Sequence, residues 1–193
     1  MNAVIQALME RRSIRKFSPE AIDEGDLQTI LTAGIFAPSA RNAQAWHATA
    51  VVGAEAIGKL SEAVRAATGQ PGFDKYKGMA DKPSYTVNYK DAPVFVIVSV
   101  DPAASFAPQE DGALMLGNML LAAHALGLGA CWINQLGPIA DEPEFRKLLT
   151  GLGVPQGYAI VGCAAIGRRA GENPAAPARQ DGLFNLGRGC IST

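Results

Sequence analysis

Apolar residues recur along this chain at two different spacings. From Asn2 onward, the apolar side chains of Val4, Ile5 and Leu8 repeat with the period of a helix, and Asn2 is a suitable N-cap. By contrast, Val94–Val100 is an uninterrupted apolar run after a proline, which is typical of a strand buried on both faces. Because the two patterns alternate, they predict a domain built from both helices and strands.

Further elements follow from the same two patterns. A second helix is predicted to begin after Asp23 and to end before Pro38, which places the following residues in a loop. An apolar helix is predicted over residues 111–126, and its nearly continuous apolar circumference indicates burial on most sides, often against a partner subunit in a protein of this size. The remaining predicted elements are strands at 46–52, 130–133 and 158–166, a helix at about 55–67, and a helix capped by Asp141.

Composition and charge narrow the class of protein. The chain has 193 residues, 48% of them hydrophobic and 18% charged, which is typical of a single globular domain over residues 1–193. A formal net charge of −1 gives no field that would attract nucleic acid. We find no apolar run long enough for a secretory segment or a membrane helix, so we expect a cytoplasmic protein that does not bind membranes. Three cysteines without a CxxC pair and two histidines argue against a disulfide framework and a metal site.

Two polar segments carry the candidate chemistry. Residues 11–17, the arginine segment, contain four cations and a hydroxyl directly after the first predicted helix. Because arginine offers forked donors that match phosphate oxygens, this segment could bind a phosphorylated small molecule; a solvated basic face at a helix end is the alternative. Residues 38–44, the amide loop, supply amides and a hydroxyl that can hydrogen-bond the polar edge of a heterocycle.

In this order, Arg11-Arg12-Ser13-Ile14-Arg15-Lys16-Phe17 and Pro38-Ser39-Ala40-Arg41-Asn42-Ala43-Gln44-Ala45-Trp46 resemble the FMN-dependent nitroreductase family. The resemblance extends to Asp91-Ala92-Pro93, to residues 127–133 and to residues 157–167, and so covers nearly the whole chain. It implies an α+β fold with a mixed sheet flanked by helices, in a homodimer with interlocked C-terminal tails. It also implies bound FMN, NADH or NADPH as electron donor, and a small electron-poor acceptor such as a nitroaromatic or quinone. Because the chain lacks a dinucleotide-binding fingerprint, we expect donor and acceptor to occupy a single open face of the flavin in turn, by a ping-pong mechanism. At position 45, where the family often has proline, this chain has alanine.

The resemblance also implies roles for individual residues. Arg11 and Ser13 match the positions that hold the FMN phosphate. Arg15 matches the basic residue near the flavin N1/O2 edge, where a cation stabilises the charge that hydride arrival creates, and it is the expected catalytic residue. The other expected cofactor-binding residues are Arg12, Pro38, Ser39, Asn42 and Gln44, with the amide loop reaching the flavin from the second subunit, Cys131 and Trp132 through their backbone, and Arg168 and Arg169, one of which contacts the phosphate. Solvation is the alternative for Arg12, and an exposed pair is the alternative for the last two arginines.

Other functions remain open at this point. A GxGxxG motif that opens a helix is absent, so a dinucleotide fold is not supported, and Gly53–Lys59 resembles a P-loop but is followed by leucine where a hydroxyl is needed. The alternatives are a non-catalytic flavin-binding or storage module, a specialised flavin dehydrogenase of the same fold, and an anion-binding regulatory domain. Residues 69–90 are predicted to form a long loop or a broken helix, of which 73–89 would shape the acceptor site.

Overall fold

A computed structural model of the chain describes residues 1–68 and 91–183. The predicted acceptor loop at 69–90 and the last ten residues of the predicted tail lie outside the described residues. The described helices are α1 (Ala3–Glu10), α2 (Glu24–Ile35), α3 (Ala54–Thr68), α4 (Pro108–Ala125) and α5 (Pro143–Gly151), and the described strands are β1 (Trp46–Val52), β2 (Val94–Val100), β3 (Gly129–Ile133) and β4 (Ala159–Gly167). The predicted α+β class with a sheet flanked by helices is confirmed.

The four strands form one sheet in the order β1-β2-β4-β3, so β1 and β3 are its edges. Each neighbouring pair is antiparallel, with Trp46 opposite Val100 and Cys131 opposite Ala165 as examples of the register. Among the described residues, parallel pairing occurs outside these strands, where Ser13 forms an isolated bridge to Ala130 on β3. The sheet is therefore more uniform in direction than the word mixed implies.

Helices cover both faces of the sheet, and the two faces of β2 contribute to two separate hydrophobic clusters. Phe95 and Ile97 face a cluster with α3 and α5, whereas the alternate residues, such as Val96, face a cluster with α2 and α4. Every residue of β2 is buried, as its uninterrupted apolar run predicts. On the second face α2 and α4 pack closely, since a Cβ on Gly34 would lie 2.5 Å from the Cε of Met119. This packing fixes the end of α2, from which the amide loop departs.

The helix starts test the capping predictions. Asn2 accepts a hydrogen bond from the Ile5 N–H at 3.0 Å, and Asp23 accepts one from the Gly25 N–H at 2.8 Å, so both predicted N-caps are confirmed. The prediction for Asp141 is wrong, because α5 starts after Glu142 without a side-chain cap. Asp141 instead forms an ion pair of 2.8 Å with Arg146, which holds its carboxylate away from the helix N-terminus.

α4 is buried or half-buried over most of its circumference, as predicted, and keeps one exposed stripe that includes Glu110, Leu114 and Gly117. Leu114 remains 47% exposed although it belongs to the apolar circumference that predicted burial on most sides. Within residues 1–68 and 91–183, no helix combines the length and apolar character that crossing a membrane requires.

Candidate functional site

Backbone pairing holds the arginine segment at the β3 edge of the sheet. α1 ends where the Arg11 N–H donates to the Ala7 carbonyl at 2.9 Å and the chain turns out of the helix. The Ile14 N–H then donates to the Ala130 carbonyl of β3 at 3.0 Å. On its other side the segment pairs with residues 168–170, through the Ser18 N–H to the Arg168 carbonyl and the Ala170 N–H to the Lys16 carbonyl. The segment thus lies between β3 and the start of the tail.

Alternate side chains of this segment have opposite environments. Ile14 and Phe17 enter the core shared with α3 and α5, whereas Ser13 and Arg15 are exposed. The approach to β3 requires a glycine, since a Cβ on Gly129 would lie 2.7 Å from Cγ2 of Ile14. Burial of the apolar residues therefore directs the hydroxyl and the cations outward in a fixed register.

Several cations converge on the last turn of α4. The pKa of His124 is lowered from 6.5, first by burial and then by the positive charge of Arg169, with smaller contributions of the same sign from Arg11 and Arg12. Glu10 opposes this effect. Because like charges repel, this concentration of positive potential is suited to an anion with more than one negative charge.

The individual arginines differ in what they contact. Arg12 Nη1 donates to the Met9 carbonyl at 2.8 Å and to the Arg11 carbonyl at 2.6 Å, so this side chain caps the end of α1. Its Nε is buried without a hydrogen-bond partner among the described residues. Arg168 forms an ion pair of 3.5 Å with Glu20, whereas the Arg169 side chain pairs with no described carboxylate. Arg169 is therefore the freer of the two candidates for an external anion.

The amide loop is anchored to α4 by one buried carboxylate. Asp111 is only 2% exposed, and its Oδ1 accepts the Ala40 N–H at 2.8 Å. Its Oδ2 accepts the Ser105 hydroxyl at 2.5 Å, which joins the segment before α4 to the same anchor. Because both partners depend on this single side chain, Asp111 determines where the amide loop lies.

Hydrogen bonds within the loop set the directions of its polar groups. Ser39 Oγ accepts the Gln44 N–H at 3.0 Å, and Gln44 Nε2 donates to Asn42 Oδ1 at 2.9 Å. Pro38 precedes this network and is exposed. The predicted hydroxyl and amides are thus brought together on one exposed loop, where they remain accessible to a ligand.

The backbone of the loop adopts an unusual conformation. Arg41, Asn42 and Gln44 have φ values of 53°, 56° and 49°, in the left-handed region that favours glycine. Such a conformation costs on the order of 1 kcal/mol for a residue with a side chain, and it tends to be retained at functional sites. The Arg41 guanidinium also lies 4.1 Å from the ring centroid of Phe106, which is itself 76% exposed.

The two polar segments lie at opposite edges of the sheet. The amide loop leads into β1, and the arginine segment pairs with β3, which is three strand spacings away, or about 14 Å. Within the described parts of the chain, no hydrogen bond or ion pair joins them. One chain therefore assembles the arginine segment with β3 and Arg169, but does not add the amide loop to that group.

Cys131 and Trp132 occupy the strand that the arginine segment pairs with. Cys131 is 1% exposed in the core, so only its backbone could reach a ligand, as the sequence interpretation assumed. Trp132 is half-buried and packs against Gly162, where a Cβ would lie 2.8 Å from its Nε1. The side chains of both residues thus support the strand that positions the site.

Sequence reasoning missed Asp111 and Phe106. Asp111 was treated only as the start of an apolar helix, where a carboxylate commonly complements the helix dipole. The available signal was its place in an otherwise apolar face, since a buried carboxylate requires hydrogen-bond donors. Phe106 gives no comparable signal, because an isolated aromatic residue is more often part of a core.

The model of the nitroreductase family matches residues 8–168 of this chain. A protein of Archaeoglobus fulgidus whose provisional name is NADH dehydrogenase/NAD(P)H nitroreductase is 30% identical over 171 residues, 86% of each sequence. The chain belongs to the nitroreductase family. This family assignment supports a flavin-dependent oxidoreductase, the coarser part of the activity expected from the sequence.

Solved structures agree with this fold. A Bacteroides fragilis nitroreductase with bound FMN is 35% identical, with a TM-score of 0.89 over 96% of this chain and 99% of that chain. A Desulfitobacterium hafniense nitroreductase with bound FMN has a TM-score of 0.82 at 24% identity, covering 97% of this chain and 100% of that one, and so supports the fold alone.

The donor set suits a phosphorylated flavin. The side chains of Arg11, Ser13, Arg15 and Arg169 make no hydrogen bond or ion pair with a described residue, and the Nε of Arg12 is buried beside them without a partner. Charged donors in this number, without partners among the described residues, fit an anionic group with several oxygens. The described residues contain no cluster of three or more His, Cys, Asp or Glu side chains that could hold a metal ion.

Proposed function

We propose that this protein is an FMN-dependent oxidoreductase that transfers hydride from NADH or NADPH to a small electron-poor acceptor, such as a nitroaromatic or a quinone, by a ping-pong mechanism. The observation that carries the proposal is the set of unpaired cations at the β3 edge, in a chain of the nitroreductase family. The FMN in the B. fragilis structure, at 35% identity, supports the identity of the cofactor. The name of the A. fulgidus relative supports the nicotinamide donor.

The role proposed for each residue follows from its position. Arg11 and Arg169 would bind the phosphate, since both contribute positive potential at the end of α4, and Ser13, whose backbone pairs with Ala130, would add its hydroxyl. FMN, when bound, supplies a ring that accepts hydride from a nicotinamide and passes two electrons to an acceptor. Arg15, two residues beyond Ser13 and exposed, would stabilise negative charge at the N1/O2 edge of that ring. Arg12 would contribute mainly by capping α1, and Cys131 and Trp132 by their backbone.

The amide loop would serve the site of a second subunit. Its distance from the arginine segment within one chain supports this arrangement, because a single FMN site built from both segments then needs two chains. Pro38, Ser39, Asn42 and Gln44 would read the polar edge of the ring, and their left-handed backbone would present them in fixed directions.

Exposed apolar residues on α1 and α2 support a homodimer. Val4, Leu8 and Met9 on α1 and Phe36 after α2 are all more than half exposed, and α1 has no buried residue. Beside them is a hollow of about 440 Å³ between α1, α2 and α4, lined mostly by apolar side chains. Adjoining apolar residues of this extent typically mark an interface between subunits. We propose that the C-terminal tails interlock across this dimer.

The cofactor and the reaction can be tested together. Protein purified without added flavin should be yellow and release FMN on denaturation, and anaerobic NADH or NADPH should bleach it. Double-reciprocal plots at several acceptor concentrations should be parallel. Release of FAD or failure to bind flavin would contradict the cofactor assignment, failure of NAD(P)H to bleach the protein would favour a storage module, and intersecting lines would contradict the ping-pong mechanism.

Assembly requires a separate measurement. Sedimentation should show a dimer, and Phe36→Glu should weaken it because a charge would replace a side chain that is 79% exposed at the proposed interface. Val52→Glu is the matched control, since Val52 is an exposed apolar residue on β1, away from α1. A flavin-loaded wild-type monomer, or equal effects of the two substitutions, would contradict the proposed interface.

A further inference from the structure

Side chains close the C-terminal end of α1, the helix from which the arginine segment departs. The carbonyls of Met9 and Arg11 accept from Arg12, and the Glu10 carbonyl between them accepts from Asn173 Nδ2 at 2.8 Å. Carbonyls at the end of a helix lack partners within the helix, so these bonds determine how the helix ends. Asn173 is 163 residues away in sequence, so one of the three contacts is made by the tail.

The tail is already aligned with the arginine segment before it reaches this helix end. Backbone hydrogen bonds of 2.9 Å and 3.1 Å pair the Arg168 carbonyl with Ser18 and the Ala170 N–H with the Lys16 carbonyl. Asn173 then attaches the tail again, three residues further on, at α1. Arg169 lies within the first attachment, and Arg11 directly follows the residue to which the second attachment is made.

The hydrogen bond from Asn173 to α1 opposes the mutual repulsion of the arginines at this end of the helix. Arg11, Arg12 and Arg169 each contribute positive potential at His124, so all three lie within electrostatic range of that side chain, where Glu10 contributes the opposite sign. Like charges held together without an anion repel, and a tail attached at residues 168–170 alone would be free to move away from α1. A hydrogen bond between the tail and the helix opposes that separation.

We propose that Asn173 is a positioning residue for the phosphate site, which holds Arg169 on the tail in register with Arg11 at the end of α1 by donating its amide to the Glu10 carbonyl. This inference rests on the proposed function, because the phosphate is that of FMN. Asn173 acts through the two arginines and needs no contact with the flavin.

The Nδ2 group of Asn173 makes the contact with α1. Asn173 Oδ1 is buried and has no hydrogen-bond partner among the described residues, so the carboxamide is held at α1 by its Nδ2 alone. Removing the amide by Asn173→Ala breaks this attachment, whereas Asn173→Gln keeps a donor on a longer side chain. Gln180→Ala removes an exposed amide from the same tail without breaking a hydrogen bond to a described residue, and is the matched control.

The test compares two flavins that differ only in the phosphate. Dissociation constants of FMN and riboflavin are measured for the full-length wild type and the three variants after removal and restoration of flavin. Asn173→Ala should weaken FMN about three- to tenfold, the range expected for one hydrogen bond, and leave riboflavin within about twofold. Gln180→Ala should change neither constant, and Asn173→Gln should recover part of the loss.

A second measurement does not depend on how tightly the protein binds riboflavin. The ionic-strength dependence of FMN binding should be shallower in Asn173→Ala, since loosened cations contact the phosphate less closely. An equal loss for FMN and riboflavin, an unchanged salt dependence, or an Asn173→Ala variant with wild-type FMN affinity would overturn the inference. Failure of the wild type to bind FMN would instead contradict the proposed function.

Discussion

The arginine segment and the amide loop are held in place by different means. The arginine segment is registered by backbone hydrogen bonds on both sides, to Ala130 of β3 and to residues 168–170, and buries Ile14 and Phe17. The amide loop has no such ladder. It is attached to α4 through one carboxylate, Asp111, and keeps three residues in left-handed conformations.

This difference predicts how each region responds to substitution. Backbone pairing does not depend on which exposed side chain a residue carries, so a cation can be removed from the arginine segment without moving its neighbours. The amide loop depends more on single side chains, because loss of Asp111 removes the acceptor of both the Ala40 N–H and the Ser105 hydroxyl. Substitutions in the arginine segment should therefore change ligand binding without changing stability, whereas substitutions in the amide loop should change both.

The largest effect is expected for Asp111→Ala. The substitution leaves the Ala40 N–H and the Ser105 hydroxyl without their acceptor, which should lower the free energy of unfolding by about 2–4 kcal/mol. Denaturant unfolding of the flavin-stripped protein measures this loss, and FMN affinity should fall as well because the loop is released. Glu110→Ala, which alters the exposed neighbouring carboxylate, is the control, and an equal effect of both substitutions would show that the loop is held by something else.

Next in size is Arg11→Ala. Loss of a charge-assisted contact to phosphate should cost about 1.5–3 kcal/mol of FMN binding, or roughly tenfold or more in affinity. The free energy of unfolding of the flavin-stripped protein should barely change, since the Arg11 side chain makes no hydrogen bond within the described residues while its backbone N–H still closes α1. Lys16→Ala removes an exposed cation from the same segment as a control. If Lys16→Ala weakened FMN as much, general positive charge rather than a specific contact would explain the binding.

Arg15→Ala should have a smaller effect on affinity and a distinct effect on chemistry. A cation at the N1/O2 edge of the ring favours the added negative charge, so its removal should lower the flavin reduction potential and slow hydride transfer. Potentiometry and anaerobic stopped-flow reduction by NAD(P)H measure the two quantities. A result in which Arg15→Ala and Arg11→Ala both change affinity alone, by similar amounts, would refute the separate roles.

The same contrast explains what could be predicted from the sequence. The arginine segment was recognisable because its cations are adjacent in sequence and follow a helix with clear apolar spacing, and most strands and helices were predictable from local patterns. The anchor of the amide loop was not, because it joins Ala40 to a side chain 71 residues away. Asp141 failed as a cap for a different, local reason, since α5 starts after Glu142 and Asp141 forms an ion pair with Arg146, five residues further on. Local patterns thus predicted the secondary-structure elements, but the contact that holds the amide loop against α4 is long-range.

The smallest expected effect concerns pH and belongs to His124, at the end of α4 near the arginine segment. Because the pKa of His124 is lowered in the folded protein, the folded state binds a proton less readily than the unfolded chain, whose histidine pKa is 6.5. The contribution of His124 to stability is therefore full above pH 6.5 and is lost as the pH falls through the lowered folded value. His124 is partly exposed, so solvent keeps this contribution small.

The free energy of unfolding of the flavin-stripped protein, measured at pH 7.5 and 5.5 for the wild type and His124→Gln, isolates this contribution. The stability of the wild type relative to the variant should decrease on acidification, because other titrating groups cancel in the difference. Asp111→Asn, which alters the other region, should leave the His124 contribution unchanged when it is combined with His124→Gln. Bound FMN should reduce the pH dependence, since phosphate charge near Arg11 and Arg169 offsets their effect on His124. A wild-type protein that gained stability relative to His124→Gln on acidification would contradict the lowered pKa of His124 in the folded protein.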